Sequence, residues 1–338
     1  MMPLQRHILI IHAGGTIGMQ ASAQGYVPVA GFEQRVRQQL NDERAAQLPA
    51  FDMLELDQLI DSSNLQPHHW IELASIIEQR WQQYDGFVLL HGTDTMAYTA
   101  SMLSFMLQGL DKPVIVTGSQ IPLAELRNDA LDNLLTALIF AGQYPVPEVC
   151  ICFNGRLLRG NRSRKLKSAA LDAFDSPNYG HLGQAGINIT LHTERLLAAG
   201  RIHFNIPALN PDAVVMFPVY PGMSARIAEA ILNDNAVKGC VLQTYGAGNP
   251  PDANSELMAV LEAAIKRGVS IVNVTQCLQG KVSQGAYATG ATLNRIGVIP
   301  GSDLTLEAAF TKLHYLIATQ PQEQVGTLMV KPLCGEMT

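Results

Sequence analysis

The sequence is poor in charge and has no long apolar run. Charged residues make up 15% of the 338 residues, and 29 acidic residues outweigh 23 basic ones. A net charge of −6 argues against nucleic-acid binding, which needs clustered cations. No run approaches the ~18 consecutive apolar residues of a membrane-spanning helix, and residues 8–11 are too short for a signal-peptide core. We therefore expect neither a nucleic-acid partner nor a membrane partner.

The cysteines and histidines lack the spacing of disulfide frameworks and metal sites. The five cysteines are odd in number and include no CxxC pair, and the nine histidines include no HxxxH pair. We therefore expect buried free thiols, a cytoplasmic location, and no metal or other cofactor. The cysteines are Cys150, Cys152, Cys240, Cys277 and Cys334.

The hydrophobic residues, at 47% of the chain, are numerous enough for two cores and alternate between two patterns. Short runs that are apolar on both faces predict buried parallel strands at 7–13, 86–91, 113–118, 147–153, 213–220, 239–245 and 269–275. Segments with helical periodicity lie between them at 70–81, 95–107, 123–141, 255–267 and 304–317. This alternation predicts an α/β fold with parallel sheets.

The alternation fails between about residues 176 and 212, where turn signals such as Asn205-Ile206-Pro207 accumulate. We place the domain boundary there. The prediction is a larger N-terminal domain over 1–190, a linker over 191–212 and a smaller C-terminal α/β domain over 213–338.

Two polar turns follow predicted strands at their carboxyl ends, where open α/β sheets bind ligands. Thr16 follows the pair Gly14-Gly15, and Thr93 and Asp94 follow the strand at 86–91. The glycine-rich turn matches neither GxGxxG nor the P-loop pattern, so nucleotide binding has little support. Turn capping by Thr16 and helix capping by Thr93 or Asp94 are alternative interpretations.

Two further segments contain candidate functional residues. Asp61, Ser62 and Ser63 precede a predicted helix and offer a cradle for a carboxylate, although ordinary turn chemistry explains the same residues. Residues 156–167 contain six cations and no acid. This segment is a solvated or nucleic-acid loop, an attractor for a small anion, or the source of one catalytic lysine.

Taken in their common order, these motifs resemble the bacterial-type L-asparaginases, specifically the cytoplasmic type I branch. The most similar blocks are 61–63, 84–100, 112–123 and 273–277, and the resemblance extends over about residues 7–336. It implies a two-domain asparaginase-like α/β fold and hydrolysis of L-asparagine to L-aspartate and ammonia. The alternatives are an amino-acid-binding regulatory protein without turnover and the amidase subunit of a tRNA-dependent amidotransferase, which normally carries an extra N-terminal domain.

The resemblance also implies roles for individual residues. It assigns Thr16 as the nucleophile, Tyr26 as its partner on a mobile lid, and a second hydroxyl–acid–base group formed by Thr93, Asp94 and Lys165. The substrate-binding set implied is Asp61, Ser62, Ser63, Gly92, Thr93 and Asp94. The sequence leaves open which threonine attacks first, and we favour Thr16.

The resemblance further implies a homodimer or homotetramer with shared sites, to which Asn249 is the candidate contribution of a neighbouring subunit. Some type I members bind a second asparagine at a regulatory site. Here its candidate residues are Gln243, Thr244, Tyr245 and Cys277. The family commonly has Arg in the Gln243 slot, and Arg binds carboxylates bidentately, so this departure weakens the regulatory hypothesis.

Overall fold

The chain divides between Ile206 and Pro207 into two units in the computed structural model, which describes residues 6–23, 25–40, 42–285 and 288–338. Each unit carries its own parallel sheet and its own apolar core. The predicted α/β fold class is therefore confirmed. No helix in the described residues is both long and apolar enough to cross a bilayer.

The first unit is built on an eight-stranded sheet. The strands of the unit, which include three separate two-stranded pairs, β2-β3, β6-β14 and β10-β11, are β1 (His7–Gly14), β2 (Met19–Ser22), β3 (Gly25–Pro28), β4 (Ala50–Ile60), β5 (Gly86–Leu90), β6 (Leu107–Gln108), β7 (Val114–Thr117), β8 (Val149–Phe153), β9 (Arg156–Arg159), β10 (Arg164–Lys165), β11 (Phe174–Asp175), β12 (Gly183–Ala185), β13 (Ile189–Leu191) and β14 (His203–Phe204). The order in the main sheet is β13-β12-β9-β8-β7-β5-β1-β4. Strands β8, β7, β5, β1 and β4 run parallel to one another, whereas β9, β12 and β13 add antiparallel pairs.

Helices and short helical turns connect these strands. The helices are α1 (Phe32–Gln39), α2 (Asp42–Ala45), α3 (Pro67–Arg80), α4 (Met96–Met106) and α5 (Ala130–Gln143). Single 3-10 turns occur at Thr16–Gly18, Ser62–Asn64, Gly160–Arg162 and Thr193–Arg195. Pro67 starts α3. The N–H groups of the first helical turn have no acceptor within the helix, so a proline, which has no N–H, loses no hydrogen bond there.

The second unit carries a four-stranded parallel sheet in the order β15-β16-β17-β18. The strands are β15 (Val214–Pro218), β16 (Gly239–Thr244), β17 (Ser270–Thr275) and β18 (Ile299–Pro300). The helices are α6 (Ala225–Leu232), α7 (Ser255–Lys266), α8 (Ala288–Ile296), α9 (Leu306–Thr319) and α10 (Gln322–Met329).

Two elements differ from the sequence-based expectation. The helix expected over 123–141 begins only at Ala130. The side-chain oxygen of Asn128 accepts hydrogen bonds from the backbone N–H groups of Ala130, at 3.1 Å, and Leu131, at 3.4 Å, and so caps the helix there. The edge strand β4 was not expected. It pairs only with β1 and alternates apolar residues with Asp52, Glu55 and Asp57, so it has no continuous apolar run.

The segment placed in the linker, 191–212, contains short pieces of secondary structure. Strand β13 pairs with β12 through Leu191, and β14 pairs with β6 through His203 and Phe204. These ladders join residues up to Ile206 to the first unit. The pairing partners of β14 lie about a hundred residues earlier in the chain, so turn signals alone do not reveal them.

Candidate active site

Three turns meet at one edge of the large sheet. Strands β5, β1 and β4 are neighbours and parallel, so their carboxyl ends lie together. A Cβ added to Gly15, which has a φ of 89°, would lie under 3.0 Å from the backbone of Gly92. A Cβ on Gly92 would meet Ser62 equally closely. This packing brings together the turns that carry Thr16, Ser62 and Thr93.

Thr93 and Asp94, the hydroxyl and acid of the predicted second group, both lie within hydrogen-bond distance of its base, Lys165. Lys165 Nζ lies 2.7 Å from Thr93 Oγ1 and 2.7 Å from Asp94 Oδ1. The lysine reaches this position from β10, which β11 holds in an antiparallel ladder. Lys165 is 20% exposed and Asp94 is 64% exposed, so the carboxylate remains open to a cationic ligand. Lys165 and Asp94 thus form an ion pair beside the Thr93 hydroxyl.

The turn that carries Asp61, Ser62 and Ser63, predicted to bind substrate, is held by its own polar groups. The Asp61 carboxylate accepts a hydrogen bond from the Ser63 N–H at 3.0 Å. The Thr95 hydroxyl donates to the Ser62 carbonyl oxygen at 2.8 Å, and Ser62 is buried whereas Asp61 and Ser63 are exposed. Turn chemistry therefore does operate here. It leaves the exposed Asp61 and Ser63 facing solvent beside Gly92, where a ligand can reach them.

Tyr26 lies on the β2–β3 hairpin, which begins directly after the Thr16 turn. The Tyr26 side chain is 51% exposed, and its hydroxyl donates to Glu125 Oε1 at 3.0 Å. This hydrogen bond raises the pKa of Tyr26 above its usual value. Its partner in the structure is thus Glu125, a residue that the sequence analysis did not select.

Arg35 ties both ends of this hairpin to α1. Its guanidinium donates to the carbonyl oxygens of Gly18 at 3.0 Å, Val29 at 2.8 Å and Ala30 at 2.7 Å. Gly18 precedes β2, while Val29 and Ala30 follow β3. One side chain therefore links the residues just before and just after the hairpin that carries Tyr26.

Replacing Arg35 by alanine should release the hairpin. Loss of three charge-assisted hydrogen bonds lowers the cost of local opening, so we expect limited proteolysis within residues 19–28 to be about tenfold faster. Mass spectrometry of the first fragments measures this. Arg37→Ala is the matched control, because Arg37 contacts Glu33 on the same helix and the Phe51 ring on β4 rather than the hairpin. Equal cleavage rates in the two variants would contradict the role of Arg35.

His91 orients the peptide that precedes Thr93. Its Nδ1 lies 2.7 Å from the Gly92 carbonyl oxygen, its Nε2 lies 2.9 Å from Thr99 Oγ1, and Trp70 Nε1 donates to that hydroxyl at 3.0 Å. Because the Gly92 carbonyl oxygen can only accept, Nδ1 is the protonated nitrogen of the neutral ring, and Nε2 accepts the proton of the Thr99 hydroxyl. The Gly92 carbonyl thus faces the His91 ring, and the Thr93 N–H of the same trans peptide points the opposite way.

Two buried histidines near the site are held neutral. Burial lowers the pKa of His91 to about 4 and that of His12, on β1, to about 4, from the usual 6.5. Neither ring nitrogen of His12 has a hydrogen-bond partner among the described residues. Both side chains are at most 2% exposed.

These depressed pKa values predict acid destabilisation. Between pH 6.5 and about 4 the unfolded chain binds protons that the folded chain does not, so the free energy of unfolding falls as the pH falls through that window. Each histidine contributes roughly 3 kcal/mol of this loss. Urea denaturation at several pH values measures it. For His12→Leu we expect the free energy of unfolding to fall less steeply with falling pH than in the wild type. An unchanged slope would contradict the neutral state of His12.

The candidate regulatory residues gather at the carboxyl ends of β16 and β17. Thr244 pairs with Thr275 across these strands, and its buried hydroxyl donates to Asn273 Oδ1 at 2.7 Å. Tyr245 bonds Asn249 through the backbone, and the Gln243 carbonyl oxygen accepts from the Gln276 side chain at 3.1 Å. Their closeness is compatible with a pocket, and the regulatory site stays a prediction.

The cysteines depart in part from the expectation of burial. Cys150, Cys152 and Cys240 lie buried on strands, and burial raises their pKa values. Cys277 is exposed because it follows β17 in a turn, and Cys334 is half-buried. All five are free thiols. In the part of the chain that the structure describes, no group of three or more His, Cys, Asp or Glu is placed to hold a metal ion.

Comparison with known proteins places this geometry in a family. The profile of the asparaginase N-terminal domain matches residues 7–197, and that of the glutaminase/asparaginase C-terminal domain matches residues 213–329. L-asparaginase 1 of Escherichia coli strain K12 is 46% identical over 335 residues, covering 99% of this chain and 98% of its own length.

Solved structures agree. The crystal structure of L-asparaginase I from Vibrio cholerae O1 biovar eltor superposes with a TM-score of 0.91 at 48% identity, covering 99% of both chains. The thermostable L-asparaginase from Thermococcus kodakarensis gives a TM-score of 0.87 at 32% identity, covering 98% of this chain and 99% of its own. Family profiles, sequence identity and structural similarity extend over both units, and the chain belongs to the asparaginase family.

Proposed function

We propose that the protein hydrolyses the side-chain amide of L-asparagine, giving L-aspartate and ammonia through a threonine-linked acyl-enzyme. The observation that carries this proposal is the Thr93–Asp94–Lys165 hydrogen-bonded group on the same sheet edge as Thr16. Relatives that bear the name L-asparaginase at 46% and 48% identity support it.

In the first half of the reaction the Thr16 hydroxyl attacks the amide carbon. A C–O bond forms, and the carbonyl electrons move to the oxygen. The Thr16 proton passes through the Thr93–Asp94–Lys165 group to the amide nitrogen. The Thr93 N–H, turned away from His91, is our candidate donor to the oxyanion. The C–N bond then breaks, and ammonia leaves an ester on Thr16.

In the second half water adds to this ester. The bond to Thr16 Oγ1 breaks, aspartate leaves, and the threonine regains its proton. Asp94 receives the substrate ammonium at its exposed carboxylate, while the turn with the exposed Asp61 and Ser63 frames the amino-acid head group. Because Asp94 also pairs with Lys165, the incoming ammonium shares that carboxylate with the lysine.

A coupled assay of ammonia and aspartate tests the proposal. We expect the two products in a one-to-one ratio from asparagine, without tRNA or a second subunit. Tight binding of asparagine by calorimetry without ammonia release would favour the regulatory binding protein. Ammonia release only with a tRNA-bound partner would favour the amidotransferase subunit.

We also propose a cytoplasmic homodimer or homotetramer with sites shared between subunits. The family resemblance supports this, and so do the free thiols, which persist in reducing compartments. The edge strand β15 and its neighbourhood expose Met216, Tyr220 and Ile227 at 39% to 47%, an apolar surface suited to another subunit. Light scattering combined with activity at increasing dilution tests the assembly, and a fully active monomer would refute it.

A regulatory asparagine site would make the rate sigmoidal in asparagine.

A further inference from the structure

Gln120 connects the loop after β7 to the catalytic hydroxyl group. Its backbone N–H donates to both oxygens of the buried Asp129 carboxylate, at 3.1 and 3.0 Å. The next N–H, that of Ile121, donates to the same carboxylate at 2.9 Å. The main chain at Gln120 is therefore fixed by a buried acid, and its side chain starts from a defined position.

The contacts of the Gln120 amide determine which way it faces. Its Nε2 donates to the carbonyl oxygens of Ser168 and Ala170, each at 3.1 Å. A flipped amide would place an oxygen against two carbonyl oxygens. The amide nitrogen is thus committed to the 168–170 loop, and Oε1, which only accepts hydrogen bonds, lies 3.3 Å from Thr93 Oγ1.

The Thr93 hydroxyl has one proton, and its surroundings decide where that proton points. Lys165 Nζ, cationic beside Asp94, donates to Thr93 Oγ1 at 2.7 Å. The Thr93 proton must then point elsewhere, and Gln120 Oε1 is the acceptor within reach. The hydroxyl is held between a donor on one side and an acceptor on the other.

We infer that Gln120 is a positioning residue, which keeps the Thr93 proton directed away from Lys165 in the resting protein. Thr93 therefore cannot pass its proton to Lys165 from this position, and the first attack on substrate falls to Thr16. This inference rests on the proposed hydrolysis and specifies how one hydroxyl of that site is oriented. Nothing in a sequence motif signals it, because Gln120 lies 27 residues from Thr93 and 48 from Ser168.

Two substitutions test the inference. Gln120→Met keeps the length of the side chain and removes the acceptor, so we expect kcat to fall by about 10- to 100-fold with KM changed less than about threefold. Gln120→Glu keeps an acceptor, but an ionised carboxylate would face the two loop carbonyls. Protonation restores one donor, so the activity of this variant relative to wild type should rise at least about fivefold between roughly pH 8 and pH 5.

Asp172→Ala is the matched control for loosening of the loop. Asp172 pairs with Lys167 across the same loop and does not touch the Gln120 oxygen, so kcat should stay within about twofold. A Gln120→Met variant with unchanged kcat, a pH-independent ratio for Gln120→Glu, or an equal loss in Asp172→Ala would each overturn the inference. If the wild type is active and any of these results is found, only the inference is wrong. If the wild type is inactive, the proposed hydrolysis is wrong and the inference with it.

Discussion

Replacing Thr16 by alanine should abolish turnover of asparagine, with kcat reduced by about 10⁴-fold or more. The variant lacks the oxygen to which the substrate carbon bonds, and no neighbouring group can replace a covalent step. Substrate affinity should change only a few-fold, because Asp61, Ser63 and Asp94 remain in place at the same sheet edge. Steady-state kinetics gives the loss in kcat, and calorimetry gives the affinity.

The order of attack by the two threonines is settled by the first turnover. If Thr16 attacks first, the Thr16→Ala variant releases no ammonia on rapid mixing with asparagine. If Thr93 attacks first, it releases a single pulse equal to the enzyme concentration, and our assignment is wrong. Thr16→Ser is the conservative control, and its retained hydroxyl should keep kcat within about tenfold of wild type.

Replacing Lys165 by methionine should lower kcat by about 10²- to 10³-fold. The change removes the hydrogen bond to Thr93 and the ion pair with Asp94, both at 2.7 Å, and so breaks up the Thr93–Asp94–Lys165 group through which the proposed proton transfer runs. Lys167→Met is the matched control. Lys167 lies in the same cationic segment, but its amine pairs with Asp172 on an exposed loop.

Kinetics of the two lysine variants distinguishes chemistry from general charge. If the cationic segment only attracts an anionic substrate, both variants should lose a similar part of kcat/KM and the loss should shrink with added salt. We expect instead that kcat/KM falls only in Lys165→Met, and that it does so at every salt concentration. Similar values of kcat/KM for the two variants would remove Lys165 from the proposed catalytic group.

The buried strands could be read from the sequence. The seven apolar runs correspond to β1, β5, β7, β8, β15, β16 and β17, and β5 is fully buried along its length. A strand covered on both faces must be apolar throughout, so its pattern is local. The edge strand β4 is paired on one side only and exposes Asp57, so its pattern resembles that of a loop.

The candidate site was predicted in part. The turns with Thr16 and Thr93 follow strands directly, and the resemblance supplied Lys165. Glu125, Arg35 and Gln120 were missed because each has a contact with the site region, to Tyr26, Gly18 and Thr93 respectively, that joins residues 17 to 99 positions apart. Glu125 and Gln120 stand in or beside a block that carries the resemblance, yet no residue type or spacing there indicates a partner.

The sequence by itself determined the α/β class, the buried strands and the turns at their ends, because these follow from apolar periodicity and glycine within short stretches of chain. Only the tertiary structure decided which polar groups meet. Lys165 reaches Thr93 across 72 residues because β10 is held by β11, and Gln120 faces Thr93 because two distant carbonyl groups take its amide protons. Hydrogen bonds depend on direction and on distances near 3 Å, and neither is encoded in the spacing of residues along a chain.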